Sequence, residues 1–353
     1  MAMNFNKWIV ITGLMALIVP GITAGINYFM DPLWCFSLSH KYNSKQDDFN
    51  ERQQKTNYIT YHDFNYQGLI IGSSTSTNVN QYLFRGISVY NYSINGLQPD
   101  EYLPYIRYAK ERNGRDFEYI IMGLDFMYAA KLPPPTFDPA AVFSNTRSPL
   151  YRLKTLISLD TLKFSRRNFM NYLYGRHIYY DRSNVKYSTP LSQEAQDYNM
   201  NLLLRLFEKS DHPFAFNNYK YDEGYRSVLK RIRDDNPKTK FVIFTTPVVL
   251  RFMVLMVRNN LLDAYLKWIK DIVDVYGECY HFMYPNKVTA DYVKYFHDPN
   301  HYYPFLSDMM VDEIFNHKIT GDTEFGMYIN RENLALKLAQ LERLMKEAAA
   351  RDK

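Results

Sequence analysis

"LIIGSSTSTNVN", residues 69–80, is the stretch on which the fold turns. An apolar run stops at Gly72 and gives way to five consecutive hydroxyl residues, 73–77. Ser, Thr and Asn favour turns and helix caps, so one reading is an ordinary loop. The other is a nucleophile held at the carboxyl end of a buried strand. Both need a strand before Gly72, and the remainder of the chain decides between them.

Four further apolar or alternating runs read as strands: "ISVYNYS" (87–93), "FEYIIMGLDF" (117–126), "KFVIFTTPVV" (240–249) and "CYHFMYP" (279–285). Between them lie helical patterns at 98–114, 221–235 and 259–277. The first begins at a Pro-Asp start and ends on Gly114. Alternating strands and helices at this spacing predict an α/β fold with a parallel sheet of about five strands. In such sheets the site lies beyond the carboxyl ends of the strands, where Gly72, Ser74 and Asp125 fall. Leu334, Leu338, Leu341 and Met345 make one stripe on a C-terminal helix, which is expected to pack on the domain.

Residues 8–30 carry no charge across 23 positions, enough to span a bilayer. Trp8, Tyr28 and Phe29 mark the ends as interfacial aromatics do, and Pro20 is tolerated in such a span. An uncleaved anchor is expected, because the apolar stretch is long for a signal peptide and only Lys7 precedes it. Flanking charge leaves the orientation undecided. The expected organisation is an anchor at 1–31, a polar connector at 32–62, an α/β domain at 63–320 interrupted by an insertion at 127–220, and a C-terminal helix at 321–353. Emerging after the strand that ends at Asp125, the insertion is expected to form a lobe over the strand ends.

The net charge of +5 is unevenly spread. Residues 127–190 hold ten Lys/Arg against Asp138, Asp160 and Asp181, so this segment is +7 and the rest of the chain −2. A basic block of this kind suits an anionic substrate or lipid headgroups, or is simply a solvated surface. Arg166 and Arg167 are its candidate substrate contacts. No nucleic-acid, nucleotide or metal motif accompanies it, so no cofactor and no metal are expected. Cys35 and Cys279 are far apart, and a disulfide between them does not follow from spacing.

Far downstream, "KYFHDPNHYYPFLSDMMVDEIF" (294–315) places Asp298 and His301 three residues apart before an apolar-periodic helix. A serine hydrolase whose base and orienting carboxylate share one loop needs this pair. The histidine takes the serine proton, and the carboxylate fixes its tautomer. His297 is the neighbouring alternative, and the i, i+3 spacing favours His301.

Gly72-Ser73-Ser74 after the first strand, Asp298-x-x-His301 before the last helix, "NYSINGLQ" (91–98) after the second strand and Gly123-x-Asp125 after the third together resemble the SGNH (GDSL-like) hydrolase superfamily. The resemblance spans residues 68–316 with a large insertion. It implies a flavodoxin-like three-layer α/β/α domain, with Ser74 as nucleophile, His301 as base and Asp298 orienting it. The oxyanion hole would draw on the N–H groups of Ser74 and Gly96, with Asn95 and Asp125 as further candidates. Ser73 and Asp125 replace the family's usual aspartate and asparagine. A carboxylate cannot donate to an oxyanion, so Asp125 either carries a proton or has another role, such as orienting a loop or binding an amine.

The span, the "MDPLW" after it and Gly-Ser-Ser look like the anchored, extracytoplasmic members that modify cell-surface polymers. The D-alanine transfer protein of teichoic acid synthesis and exopolysaccharide acetyl-transfer proteins are of this kind. That likeness implies a single-pass protein of the cytoplasmic membrane, acting as acyltransferase or esterase on a surface polysaccharide or its lipid-linked precursor. It implies an acyl donor and a membrane-bound O-acyltransferase as partners. The competing reading is a non-catalytic tethered module that binds glycan or scaffolds a synthesis complex, for which Asp125 and the 32 tyrosines speak.

Overall fold

The computed structural model describes residues 5–208, 211–315 and 325–351. The chain divides into two compact units: residues 1–64 with 139–187, and residues 65–138 with 188–353.

The second unit is built on a six-stranded sheet. Its strands are β1 (Gly68–Ile71), β2 (Val89–Asn91), β3 (Tyr119–Leu124), β4 (Lys240–Thr245), β5 (Glu278–His281) and β6 (Met327–Asn330). Their spatial order is β2-β1-β3-β4-β5-β6. The first five are parallel, as the alternating pattern predicts, and β6 joins β5 antiparallel. The sheet is therefore mostly parallel and one strand wider than expected. The four residues of β6 carry too little pattern to stand out in the sequence.

β1, β3 and the later residues of β4 are almost entirely buried, which is why they read as continuous apolar runs rather than alternating ones. The helices fall where their stop signals place them. Pro99–Asn113 ends at Gly114 with φ +69° and Leu262–Tyr276 at Gly277 with φ +90°, left-handed positions that glycine takes without strain. The C-terminal helix Leu334–Arg351 packs on Leu250–Arg258 and Leu262–Tyr276, burying Leu341 and Met345. The expected boundary at 320/321 lies outside the described residues.

One core group gives this unit a pH signature. His281 is fully enclosed, with Nδ1 at 2.9 Å from Thr245 Oγ1 and Nε2 at 2.7 Å from Tyr265 Oη. Burial pushes its pKa down from 6.5 to about 3. Between those values the unfolded chain binds a proton that the folded one refuses. This contribution to stability is therefore intact above pH 6.5 and falls as pH drops toward 3, by up to about 1.4 kcal/mol per pH unit. Urea midpoints of the full chain in detergent should decline from pH 7 to 4 less steeply in His281→Asn than in the wild type. Equal slopes would contradict the assignment.

In the first unit, helix Phe5–Met30 contains the predicted span. Within Lys7–Met30 an 18-residue stretch has a mean hydropathy of 2.2 and is 6% buried, so this helix is long and apolar enough to cross a membrane. The chain turns sharply after it. Asp31 (φ +41°) accepts from Cys35 N at 2.8 Å and Phe36 N at 3.1 Å, and pairs with Arg182 at 2.5 Å.

The expected connector is not a linker. It contains helix Glu51–Tyr61, whose polar residues are buried and bonded: Gln54 Nε2 donates to Pro32 O and Asp47 O, and Asn57 Nδ2 to Leu33 O. The expected insertion is also divided. Residues 139–187 fold with this N-terminal segment, whereas 127–138 and 188–220 belong to the α/β unit. Cys35 and Cys279 are both buried and unpaired.

Candidate active site

The order β2-β1-β3 means the chain leaves β1 for one side of the sheet and returns on the other. Such a switch opens a crevice beyond the carboxyl ends of the two strands involved, here β1 and β3. A cavity of about 230 Å³ lies there. The segments after all five parallel strands contribute to its wall: Ser74 after β1, Asn95 after β2, Asp125 after β3, Thr246 after β4 and Met283 after β5.

Ser74 and His301 meet in this cavity although 227 residues separate them. Ser74 Oγ lies 2.9 Å from His301 Nε2. The other ring nitrogen, Nδ1, is 2.8 Å from Asp298 Oδ2 and 3.0 Å from Oδ1. Asp298 Oδ1 also accepts the backbone N–H groups of Asn300 (3.0 Å) and His301 (2.8 Å), which holds the short loop in register. Burial opposes the charge on Asp298. The charge of His301 and hydrogen bonds from His297 and His301 outweigh it and hold the carboxyl well below its usual range. His297 shares this carboxylate, its Nδ1 3.3 Å from Asp298 Oδ2, and its ring stacks on that of His301 with centroids 5.6 Å apart. The ring in reach of Ser74 is that of His301.

Three bonds tie the two distant loops together. Tyr302 Oη donates to Thr75 O at 2.9 Å, Asn78 Nδ2 to Tyr302 O at 2.9 Å, and Ser307 Oγ to Asn78 O at 2.7 Å. Ser74 is thus the partly exposed member of a buried hydroxyl run, with Ser73, Thr75, Ser76 and Thr77 all turned inward. The hydroxyl-rich stretch is both things its sequence allows: a turn held by hydrogen bonds at every hydroxyl of 73–77 but Ser76 Oγ, and one partly exposed serine at the cavity.

Asp125 is the hub of that turn. Its oxygens accept from Ser73 Oγ, Thr75 Oγ1 (2.8 Å) and Thr246 Oγ1. This fits the loop-orienting role, not that of an oxyanion donor: three hydroxyls already point their hydrogens at the carboxylate. Thr246 has no signal in the sequence beyond its place after β4. Asn95 borders the cavity, and Gly96 beside it takes φ +70°, which serves the turn before helix Pro99–Asn113.

Gly72 and Gly123 are required for packing. A Cβ on either would run into the side chain of Ser76, and one on Gly123 would also stand 2.7 Å from Phe244 Cζ. Gly123→Ala should cost about 1–3 kcal/mol, read as a lower denaturant midpoint, and should weaken activity by displacing Asp125. An unchanged midpoint would contradict this packing.

No family model matches the chain, and no curated protein matches it in sequence. The site therefore speaks through its own geometry.

The remaining wall is mostly apolar, with Tyr128, His212 and Asn300 as its polar members. Phe126, Met127, Leu203, Phe207, Phe214 and Phe252 face the cavity, and four of them come from the part of the insertion that folds with this unit. Arg166 and Arg167 are not among the lining residues and belong to the other unit. Arg167 pairs with Asp47, and its guanidinium lies 5.4 Å over Phe49.

Proposed function

We propose that this protein is a membrane-anchored serine acyltransferase or esterase of the SGNH kind, acting on a cell-surface polysaccharide or its lipid-linked precursor. The observation that carries the reading is the Ser74–His301–Asp298 relay at the strand-end cavity. Ser74 Oγ attacks the acyl carbon of an ester donor while His301 Nε2 removes its proton. Asp298 keeps Nδ1–H pointed at itself and stabilises the imidazolium. His301 returns the proton to the leaving alcohol, and Ser74 is left as an acyl ester. A sugar hydroxyl or water, deprotonated in turn by His301, takes the acyl group and frees the serine.

The oxyanion would be met by backbone N–H groups at Ser74 and Gly96 with the Asn95 side chain, while Asp125 holds the loop. The apolar wall suits the acyl moiety. The sheet order is that of flavodoxin-like three-layer domains, which supports the same family reading. On this reading the α/β unit lies outside the cytoplasm, and a membrane-bound O-acyltransferase supplies the acyl group.

Mass spectrometry of the intact chain after brief incubation with an activated acetyl ester tests the proposal. An adduct of one acetyl group on the Ser74 peptide is expected, discharged faster when a polysaccharide acceptor is added. An adduct elsewhere, or none under conditions where the ester is consumed, would overturn it.

A further inference from the structure

Helix Leu159–Tyr174 is inside out. Its polar residues Thr161, Ser165 and Asn168, spaced i, i+4, i+7, face the interior of the N-terminal unit, and the last two are 0% exposed. Ser165 Oγ donates to Asn27 Oδ1 at 2.8 Å, and Asn168 Nδ2 to Gln46 Oε1 at 2.7 Å. Leu159, Phe169, Leu173 and Tyr174 point outward, Leu159 at 63% and Tyr174 at 79% exposure. The preceding helix, Tyr151–Ile157, buries Tyr151 and Thr155 and likewise exposes Leu153 and Ile157. A helix in water buries its apolar stripe. Two adjacent helices that bury hydroxyls and amides and present leucines outward are built to face something apolar.

What they face is set by where they are fastened. Both pack against the last turns of the span. Asn27 Nδ2 donates to Leu156 O (2.7 Å) and Ser158 O (3.0 Å), so the junction between the helices is held at the end of the span. Between the last turns of the span and helix Leu159–Tyr174 runs a groove of about 750 Å³, walled by Ile26, Phe29, Leu159, Leu162 and Phe169, with Lys163 and Arg166 also lining it. Lys154, Lys163 and Arg166 are exposed, and the one acid among them, Asp160, pairs with Lys163.

The geometry points to residues 150–174 as an interfacial foot that rests in an anionic phospholipid bilayer, with one lipid acyl chain in the groove and its phosphate at Lys163 and Arg166. This is the chemistry of a basic interfacial helix, apolar side in the acyl boundary and cations among headgroups. It rests on the reading of Phe5–Met30 as a membrane span. It gives the basic block a membrane role, not a substrate one.

The full chain is reconstituted in phosphatidylcholine vesicles containing phosphatidylglycerol and spin-labelled, one site at a time, at Leu153→Cys, Phe169→Cys and Leu173→Cys. The native cysteines are buried. Leu17→Cys in the span and Leu336→Cys, 71% exposed in the other unit, serve as references. Collisions with oxygen should exceed those with a water-soluble nickel chelate at 153, 169 and 173, as at 17, and the reverse should hold at 336. Water-like behaviour at the three sites with a lipid-like Leu17→Cys overturns the foot and leaves the anchor standing. Water-like behaviour at 17 as well overturns both. Lys163→Gln with Arg166→Gln should make the label at 169 shallower, as should omitting phosphatidylglycerol. A depth indifferent to both changes overturns the anionic headgroup assignment.

Discussion

Ser74→Ala should lower turnover of a small acyl ester by about 10⁴-fold or more while leaving the fold intact. Removing one member of an interdependent triad costs nearly as much as removing all of it, since the remaining groups have nothing to activate. Ser74 is partly exposed, and the bonds that order its loop run through Thr75 O, Asn78 and Asp125 rather than through its hydroxyl. Loss of Oγ therefore removes the nucleophile without loosening the turn. An unchanged thermal midpoint beside the lost activity is the expected pair of results. Activity within tenfold of the wild type would place the chemistry elsewhere.

The second large effect belongs to Asp298, and pH reads it. Its carboxyl is held well below the usual carboxylate range, so it stays charged across the pH range of any assay of the proposed activity. An acid limb in kcat/KM near pH 6–7 then reports a histidine, which cannot take the serine proton once protonated. Asp298→Asn should reduce kcat/KM by about 10²–10⁴-fold, less than Ser74→Ala. It should also move the acid limb to lower pH, because the imidazolium loses its counter-charge. The same carboxylate contributes stability that is present above about pH 4 and lost as pH falls further, through its depressed pKa. His297→Ala should leave the limb in place, since that ring does not reach Ser74. A limb that moves with His297 and not with Asp298 would assign the base to the wrong histidine.

The parallel sheet was legible because its strands are buried on both sides, and runs such as "YIIMGL" admit few other readings. The meeting of Ser74 with His301 and Asp298 was legible because Ser74 follows the first of these strands and Asp298-x-x-His301 precedes an apolar-periodic helix. Only the distance across the fold remained to be seen. The N-terminal unit was not legible for a physical reason. Helix Glu51–Tyr61 and the inner stripe of Leu159–Tyr174 are buried yet polar, held by amide and hydroxyl bonds instead of apolar contact. A pattern read for hydrophobic periodicity assigns such residues to solvent. Asp125 illustrates the same point on a smaller scale. Its departure from asparagine looks like a defect in an oxyanion hole until Ser73, Thr75 and Thr246 are seen donating to it.

The central claim is that Ser74 is a nucleophile activated by His301, and covalent labelling with a serine-directed fluorophosphonate tests it most directly. The full chain in detergent should take up one label on the Ser74 peptide, faster at pH 8 than at pH 5. Ser74→Ala should take up none, and His301→Ala should react slowly. Undiminished labelling of Ser74→Ala, or no labelling of the folded wild type, would contradict the account.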